Sequence, residues 1–155
     1  MRLLACAAAL ALTALAAGGI ASAPAAPGCP PTIDDGAGPF GRGAPPRRNK
    51  IGTGHVLTGV VLSSVDCSPL AGARVHIWQA NRRGRYLRSG SATVITDRAG
   101  RFRFEGPPPV SYEGRPAHIH LRVIAAEHEL LLSRYVRRAG ATRGFVRLVL
   151  VPQRV

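Results

Sequence analysis

From residue 55 to the end of the chain, short apolar runs alternate with clusters of turn residues. The runs are HVLTGVVL (55–62), ARVHIWQ (73–79), ATVIT (92–96), RFRF (101–104), AHIHLRVIA (117–125), ELLLSRYV (129–136) and GFVRLVLV (144–151). Between them lie DCSPLAG, NRRGRY, DRAG, EGPPPVSYEGRP and RRAGATRG, rich in the Gly, Pro, Asp and Asn that turns demand. Runs of this length with this punctuation predict strands, and together an all-β, antiparallel β-sandwich. In RFRF the alternation turns Phe102 and Phe104 inward and leaves Arg101 and Arg103 outside. TDRAGRFRF predicts a hairpin whose turn carries Asp97 and Gly100. No stretch sustains a helical period, and no internal repeat is present.

Ahead of the sandwich, residues 27–54 are dense in Pro and Gly and show no periodicity, which predicts an extended arm, held down by Cys29 and Phe40. Residues 1–26 have the make-up of an export signal: Arg2, an Ala/Leu-rich apolar run, then small residues around ASAPAA. An uncleaved membrane anchor is the rival, but the run is rich in Ala and Gly and has no stop-transfer pattern. Export to the periplasm or the medium is therefore expected, with no stable membrane insertion once the signal is removed. Removal takes Cys6 away and leaves Cys29 and Cys67. A pair of cysteines in an exported chain favours a disulfide, whereas a cytoplasmic chain would keep two free thiols. The organisation is thus signal (1–26), arm (27–54) and one β-sandwich domain (55–155).

Charge adds a question. Lys and Arg total 21 against 8 acidic residues, a formal net charge of +13, and Lys50 is the sole lysine. Such a balance fits nucleic acid, anionic surfaces or a solvated exterior. The arginines are spread through RRGRYLR, DRAGRFRF and SRYVRRAGATRGFVR, with no helix-turn-helix, zinc-finger or RNA-binding aromatic signature beside them. No nucleic-acid partner is expected.

Four residues carry candidate chemistry: Tyr86, Tyr112, His118 and His120. On a strand, His118 and His120 point to one face and Ile119 to the other. Alone, such a pair serves a surface hydrogen bond as readily as a metal; Tyr112 alone is a loop aromatic, and Tyr86 after RRGR simply starts a strand. As a set, two phenols and two imidazoles point to ferric iron. Imidazole suits several transition metals. A phenol ionises near pH 10 and ligates well only when a strongly acidic cation displaces its proton. Zinc sites draw on Cys, His and carboxylate, and Glu113 is the one carboxylate nearby. A trivalent cation with two tyrosinates and a hydroxide would be charge-neutral.

The segments AGARVHIWQANRRGRY, TDRAGRFRFEGPPPVSYEGRPAHIHLRV and GAGPF resemble the intradiol ring-cleavage dioxygenases, the family of protocatechuate 3,4-dioxygenase and the catechol 1,2-dioxygenases. The likeness runs from about residue 29 to about 136, and Arg-Pro-x-His-x-His behind a tyrosine is its most specific element. The short SYEGR spacing and the cysteine pair are most similar to the small exported members. The resemblance implies a non-haem Fe(III) held by Tyr86 and His118 as equatorial ligands and by Tyr112 and His120 as axial ones. It implies that a catechol-type diol binds as a dianion in place of Tyr112 and a hydroxide. Both atoms of O2 then enter a cis,cis-muconate-type diacid. Arg115 matches the arginine that stabilises the activated substrate, a role suited to a fixed cationic fork.

Some positions depart from the family pattern. Ser133-Arg134 stands where relatives carry Thr-Gln, so Arg134 is a substrate-site candidate, and a second guanidinium there would favour a carboxylated catechol. The helical N-terminal dimerisation region of catechol 1,2-dioxygenases has no counterpart, and the early end at Val155 implies walls that are minimal or supplied by another subunit; a homo-oligomer is compatible with this. The first half, LTGVVLSSVDCSPLAGARVHI with TDRAGRFRF, would equally suit a non-catalytic transthyretin-like or carboxypeptidase-regulatory-like binding module. Such a module needs no Tyr-Tyr-His-His set, and all four positions also argue against an inert family member.

Overall fold

The structure, a computed structural model, describes residues 29–36 and 43–154. The expected export signal, Cys6 and Phe40 lie outside the described residues.

Seven strands follow one another: β1 (His55–Ser63), β2 (Arg74–Ala80), β3 (Tyr86–Ile95), β4 (Arg101–Gly106), β5 (His118–Ile124), β6 (Leu131–Val136) and β7 (Arg143–Leu150). They form a three-stranded sheet in the order β4-β1-β7 and a four-stranded sheet in the order β3-β2-β5-β6. The chain is an all-β sandwich, as the apolar runs predict. One pairing is not antiparallel: β1 and β7 run parallel, with Val56 opposite Arg143 and Ser63 opposite Leu150.

The core lies between the sheets and follows from period-two alternation. Leu57 and Val61 of β1, Phe102 and Phe104 of β4 and Leu148 of β7 face Val75 and Ile77 of β2, Val94 of β3 and Ile119, Leu121 and Val123 of β5. Phe104, Leu57, Ile77, Ile119 and Leu121 are completely buried. Each such side chain stabilises the fold by about 1.5–3 kcal/mol over leaving it in water. Arg101 and Arg103 point outward, as the alternation predicts. Gly59 is glycine because a Cβ there would lie 2.5 Å from the Phe102 ring and 2.8 Å from Val146.

Two expectations change. TDRAGRFRF is not a hairpin, because β3 and β4 belong to different sheets. The turn itself forms as expected: Asp97 Oδ1 accepts the N–H groups of Ala99 and Arg101 at 2.9 Å, and Gly100 has φ 68°. It carries the chain over the sandwich edge, because Val94 on one side and Phe102 on the other must bury into the same core from opposite sheets. The third strand also starts six residues early, at Tyr86 rather than Ala92. Its first half, YLRSG, has no apolar alternation and is extended by pairing with β2, across an irregularity between Trp78 and Ala80.

The arm does more than trail. At one open edge of the sandwich, Thr32 donates its N–H to Val149 O of β7 at 3.0 Å and accepts the Val149 N–H on its Oγ1 at 2.9 Å, and Asp35 donates its N–H to Leu132 O of β6 at 2.8 Å. At the other edge, Arg48 N–H donates to Thr93 O of β3, and Ile51 N–H to Glu105 O of β4. Unpaired sheet edges are thereby covered. Cys29 and Cys67 form the expected disulfide, with Cα atoms 5.2 Å apart, which ties the arm to the turn after β1. Among the described residues no helix is long and apolar enough to cross a membrane.

Candidate metal centre

The four candidate side chains meet on the outer face of the four-stranded sheet. β5 supplies His118 and His120, both nearly buried, while Ile119 between them fills the core. Their ring centroids are 4.7 Å apart and their Nε2 atoms 3.1 Å apart. Tyr86 arrives from the first position of β3, opposite Ala80 of β2. The loop before it is held by Asn81, whose Oδ1 accepts the N–H of Arg83 at 2.9 Å and of Arg85 at 3.1 Å. Gly84 in this loop has φ 69°, and a Cβ on it would lie 3.1 Å from the Tyr112 ring.

Tyr112 is aimed by a tight turn. Arg115 N–H donates to Tyr112 O at 2.8 Å, Tyr112 N–H returns to Arg115 O at 3.3 Å, and Glu113 and Gly114 between them have φ 46° and 73°. Two consecutive positive φ values are the I′ turn geometry, which glycine accepts and glutamate tolerates at a cost. The same turn holds the Arg115 guanidinium 5.8 Å from the centre of the Tyr112 ring.

At the centre, the Tyr86 and Tyr112 hydroxyls touch one another. Tyr86 Oη lies 3.3 Å from His118 Nε2 and 3.1 Å from His120 Nε2, and Tyr112 Oη lies 3.5 Å from His118 Nε2. Groups each about 2.0–2.1 Å from one cation stand roughly 3 Å from each other, so this donor set has the spacing of a coordination sphere. The tautomer fits too. His118 Nδ1 lies 2.6 Å from the Pro116 carbonyl oxygen, which can only accept. Nδ1 therefore carries the proton, and Nε2 presents a lone pair to the cluster. Among the described residues no three His, Cys, Asp or Glu side chains gather as a metal site, so the capacity here depends on the phenols.

Burial keeps two of the four donors neutral. Burial, and then the hydrogen bond to Tyr112, push the Tyr86 phenol well above its ordinary range, with Arg115 partly opposing. Burial, followed by His118 and Arg134, brings His120 down to about 4, with Asp35 acting the other way. Left to itself the cluster keeps the Tyr86 phenol protonated and His120 neutral; a strong Lewis acid at its centre would reverse the first and exploit the second.

Arg134 stands on β6 opposite His120, but its Nε is paired with Asp35 Oδ2 at 2.8 Å. Neither Asp35 nor the Pro116 carbonyl that sets the tautomer is among the candidates read from the sequence. Asp35 had a signal: Asp34-Asp35 places two of the chain's 8 acidic residues side by side in the arm. The Pro116 carbonyl had none, since backbone oxygens leave no trace in side-chain patterns. A cavity of about 200 Å³ lies against Tyr86, walled by Trp78, Leu87, Arg88 and the arm residues Ala44 and Pro45. That is room for one aromatic ring, since a 150 Å³ apolar cavity can hold benzene.

A family model described as "Dioxygenase" matches residues 44–137, more than half of the chain. No curated protein matches it. Among solved structures, the dioxygenase domain of a dioxygenase carbohydrate-binding protein fusion from Streptomyces sp. SirexAA-E is 24% identical. This chain covers all of that domain with 80% of its own length, at a TM-score of 0.69. The intradiol ring-cleavage dioxygenase from Tetranychus urticae is 19% identical, with coverage of 81% of this chain and 97% of that one and a TM-score of 0.70. Catechol 1,2-dioxygenase from Pseudomonas arvilla C-1 is 20% identical at a TM-score of 0.61. There 83% of this chain covers only 63% of the other.

Proposed function

The chain belongs to the intradiol ring-cleavage dioxygenase family, and from that membership we propose that it opens the ring of a catechol-type diol. In this reaction a non-haem Fe(III) is the cofactor, both atoms of O2 are incorporated, and the product is a cis,cis-muconate-type diacid. The observation that carries the proposal is the convergence of two phenols and two imidazoles, with the His118 lone pair directed inward by Pro116. Membership of an oxygenase family also sets aside the non-catalytic sandwich modules that the first half of the sequence resembles.

Tyr86, Tyr112, His118 and His120 would hold the iron. When bound, it would supply the positive charge that ionises the phenols and makes the coordinated diol reactive toward oxygen. The chain's own residues have distinct tasks. His118 and His120 are fixed on a central strand and Tyr86 at a strand start, so these three hold position. Tyr112 sits on a four-residue turn with a positive-φ glutamate and is the ligand able to swing away. Its Oη would take one of the two protons a diol must lose. Arg115, on the same turn, would offer its guanidinium to the negative charge that develops on the substrate. An exported location, carried by the apolar N-terminal segment and the cysteine pair, would put this activity on extracellular or periplasmic aromatics.

Iron-loaded protein should be reddish, from tyrosinate-to-iron charge transfer, and the band should shift on anaerobic addition of catechol. His118→Ala and His120→Ala should each lose iron and at least 100-fold in oxygen uptake while keeping the wild-type circular dichroism, the scale expected for a missing ligand. A colourless protein that takes up no iron, or either variant at full activity, defeats the proposal.

A further inference from the structure

Arg134 would be the natural anchor for a carboxylated ring, because a guanidinium binds a carboxylate through two parallel hydrogen bonds. Its position suits that role. It is in register with His120 on the neighbouring strand, and side chains directly opposite one another across strands are in contact. Yet Asp35 already holds its Nε at 2.8 Å, with only about a third of the Asp35 side chain exposed. The Asp34-Asp35 pair is clasped to β6 at two points, one through each residue. The Asp35 N–H donates to Leu132 O at 2.8 Å, and Asp34 Oδ2 accepts the Leu132 N–H at 3.0 Å. The arm that carries both acids is anchored further back by the Cys29–Cys67 disulfide.

We propose that Asp35 makes this site select uncharged catechols over ring-carboxylated ones, by occupying the guanidinium that a substrate carboxylate would otherwise meet. The inference rests on the ring-cleavage proposal and names its substrate class. An incoming carboxylate must share Arg134 with Asp35 or displace it, and meets a fixed negative charge at close range. A neutral ring pays neither penalty. Of the other cations nearby, Arg115 is held against Tyr112 by its turn and Arg88 walls the cavity beside Tyr86, and among the described residues neither is paired with a carboxylate.

Two measurements on Asp35→Asn decide the matter. The first is the ratio of kcat/KM for 3,4-dihydroxybenzoate to that for catechol. It should rise about three- to tenfold over wild type, the scale of a partly exposed ion pair. The second is benzoate affinity, followed by fluorescence of Trp78, the chain's single tryptophan, which lies opposite His120. It needs neither iron nor oxygen and should tighten by a similar factor, and the double variant Asp35→Asn/Arg134→Gln should lose the gain. A ratio or an affinity that stays put, or a gain that survives in the double variant, overturns the inference. If wild type takes up no oxygen with any diol, the ring-cleavage proposal fails, while the benzoate titration still shows whether Asp35 screens Arg134.

Discussion

His118 shows how much one backbone atom can decide. Its Nδ1 proton is fixed by the Pro116 carbonyl at 2.6 Å, which is why the neighbouring proline matters to the chemistry without touching the cluster. Two other histidines belong to the fold rather than the site. His55 and His76 are buried, and desolvation holds both below their ordinary 6.5, with Arg137 and Arg122 respectively adding in the same direction. Among the described residues neither ring nitrogen of His76 has a hydrogen-bond partner. Between the depressed folded values and 6.5 the unfolded chain binds more protons than the folded one. Stability is therefore full above 6.5 and falls as pH drops below it, before carboxylates begin to titrate. Urea titrations from pH 7.5 to 5 should show this loss, and His76→Leu should shallow the slope. An identical slope in the variant would show that His76 takes up its proton in the folded state.

At the scale of elements, β1 is central in its sheet and joins the antiparallel β4 to the parallel β7. Its middle residue is Gly59, over which the Phe102 ring passes. Gly59→Ala should destabilise the protein by about 1–3 kcal/mol through overpacking, although alanine is ordinarily the better strand residue. A denaturation midpoint at or above that of wild type would show that Phe102 can move aside at little cost. The strands β3 and β5 illustrate the opposite relation of sequence to element. AHIHLRVIA announces itself by alternation, whereas YLRSG becomes strand only because β2 offers it a backbone ladder. Tyr86 owes its place in the cluster to that extension.

For the whole molecule, the arm is the integrating feature. It leaves Cys29, runs along β7 and β6, and lies at residues 45–51 against β3 and β4, so both open edges of the sandwich depend on it. Replacing Cys29 and Cys67 by serine should lower stability by about 2–4 kcal/mol, as expected for a cross-link spanning 38 residues. It should also raise hydrogen exchange at Leu132 and Val149, whose N–H groups the arm's side chains hold. Unchanged exchange there would mean that the arm docks without its anchor. The sequence by itself determined the sandwich, the buried alternation, the disulfide partners and the four candidate ligands, because each is written in local periodicity, residue type or a short motif. Tertiary structure alone decided that the Asp97 turn crosses between sheets and that Asp35 reaches Arg134. It also decided that Pro116 orients His118. Those outcomes depend on which backbones pair and which distant charges meet, and such long-range contacts are set by the packing of the whole chain rather than by any segment of it.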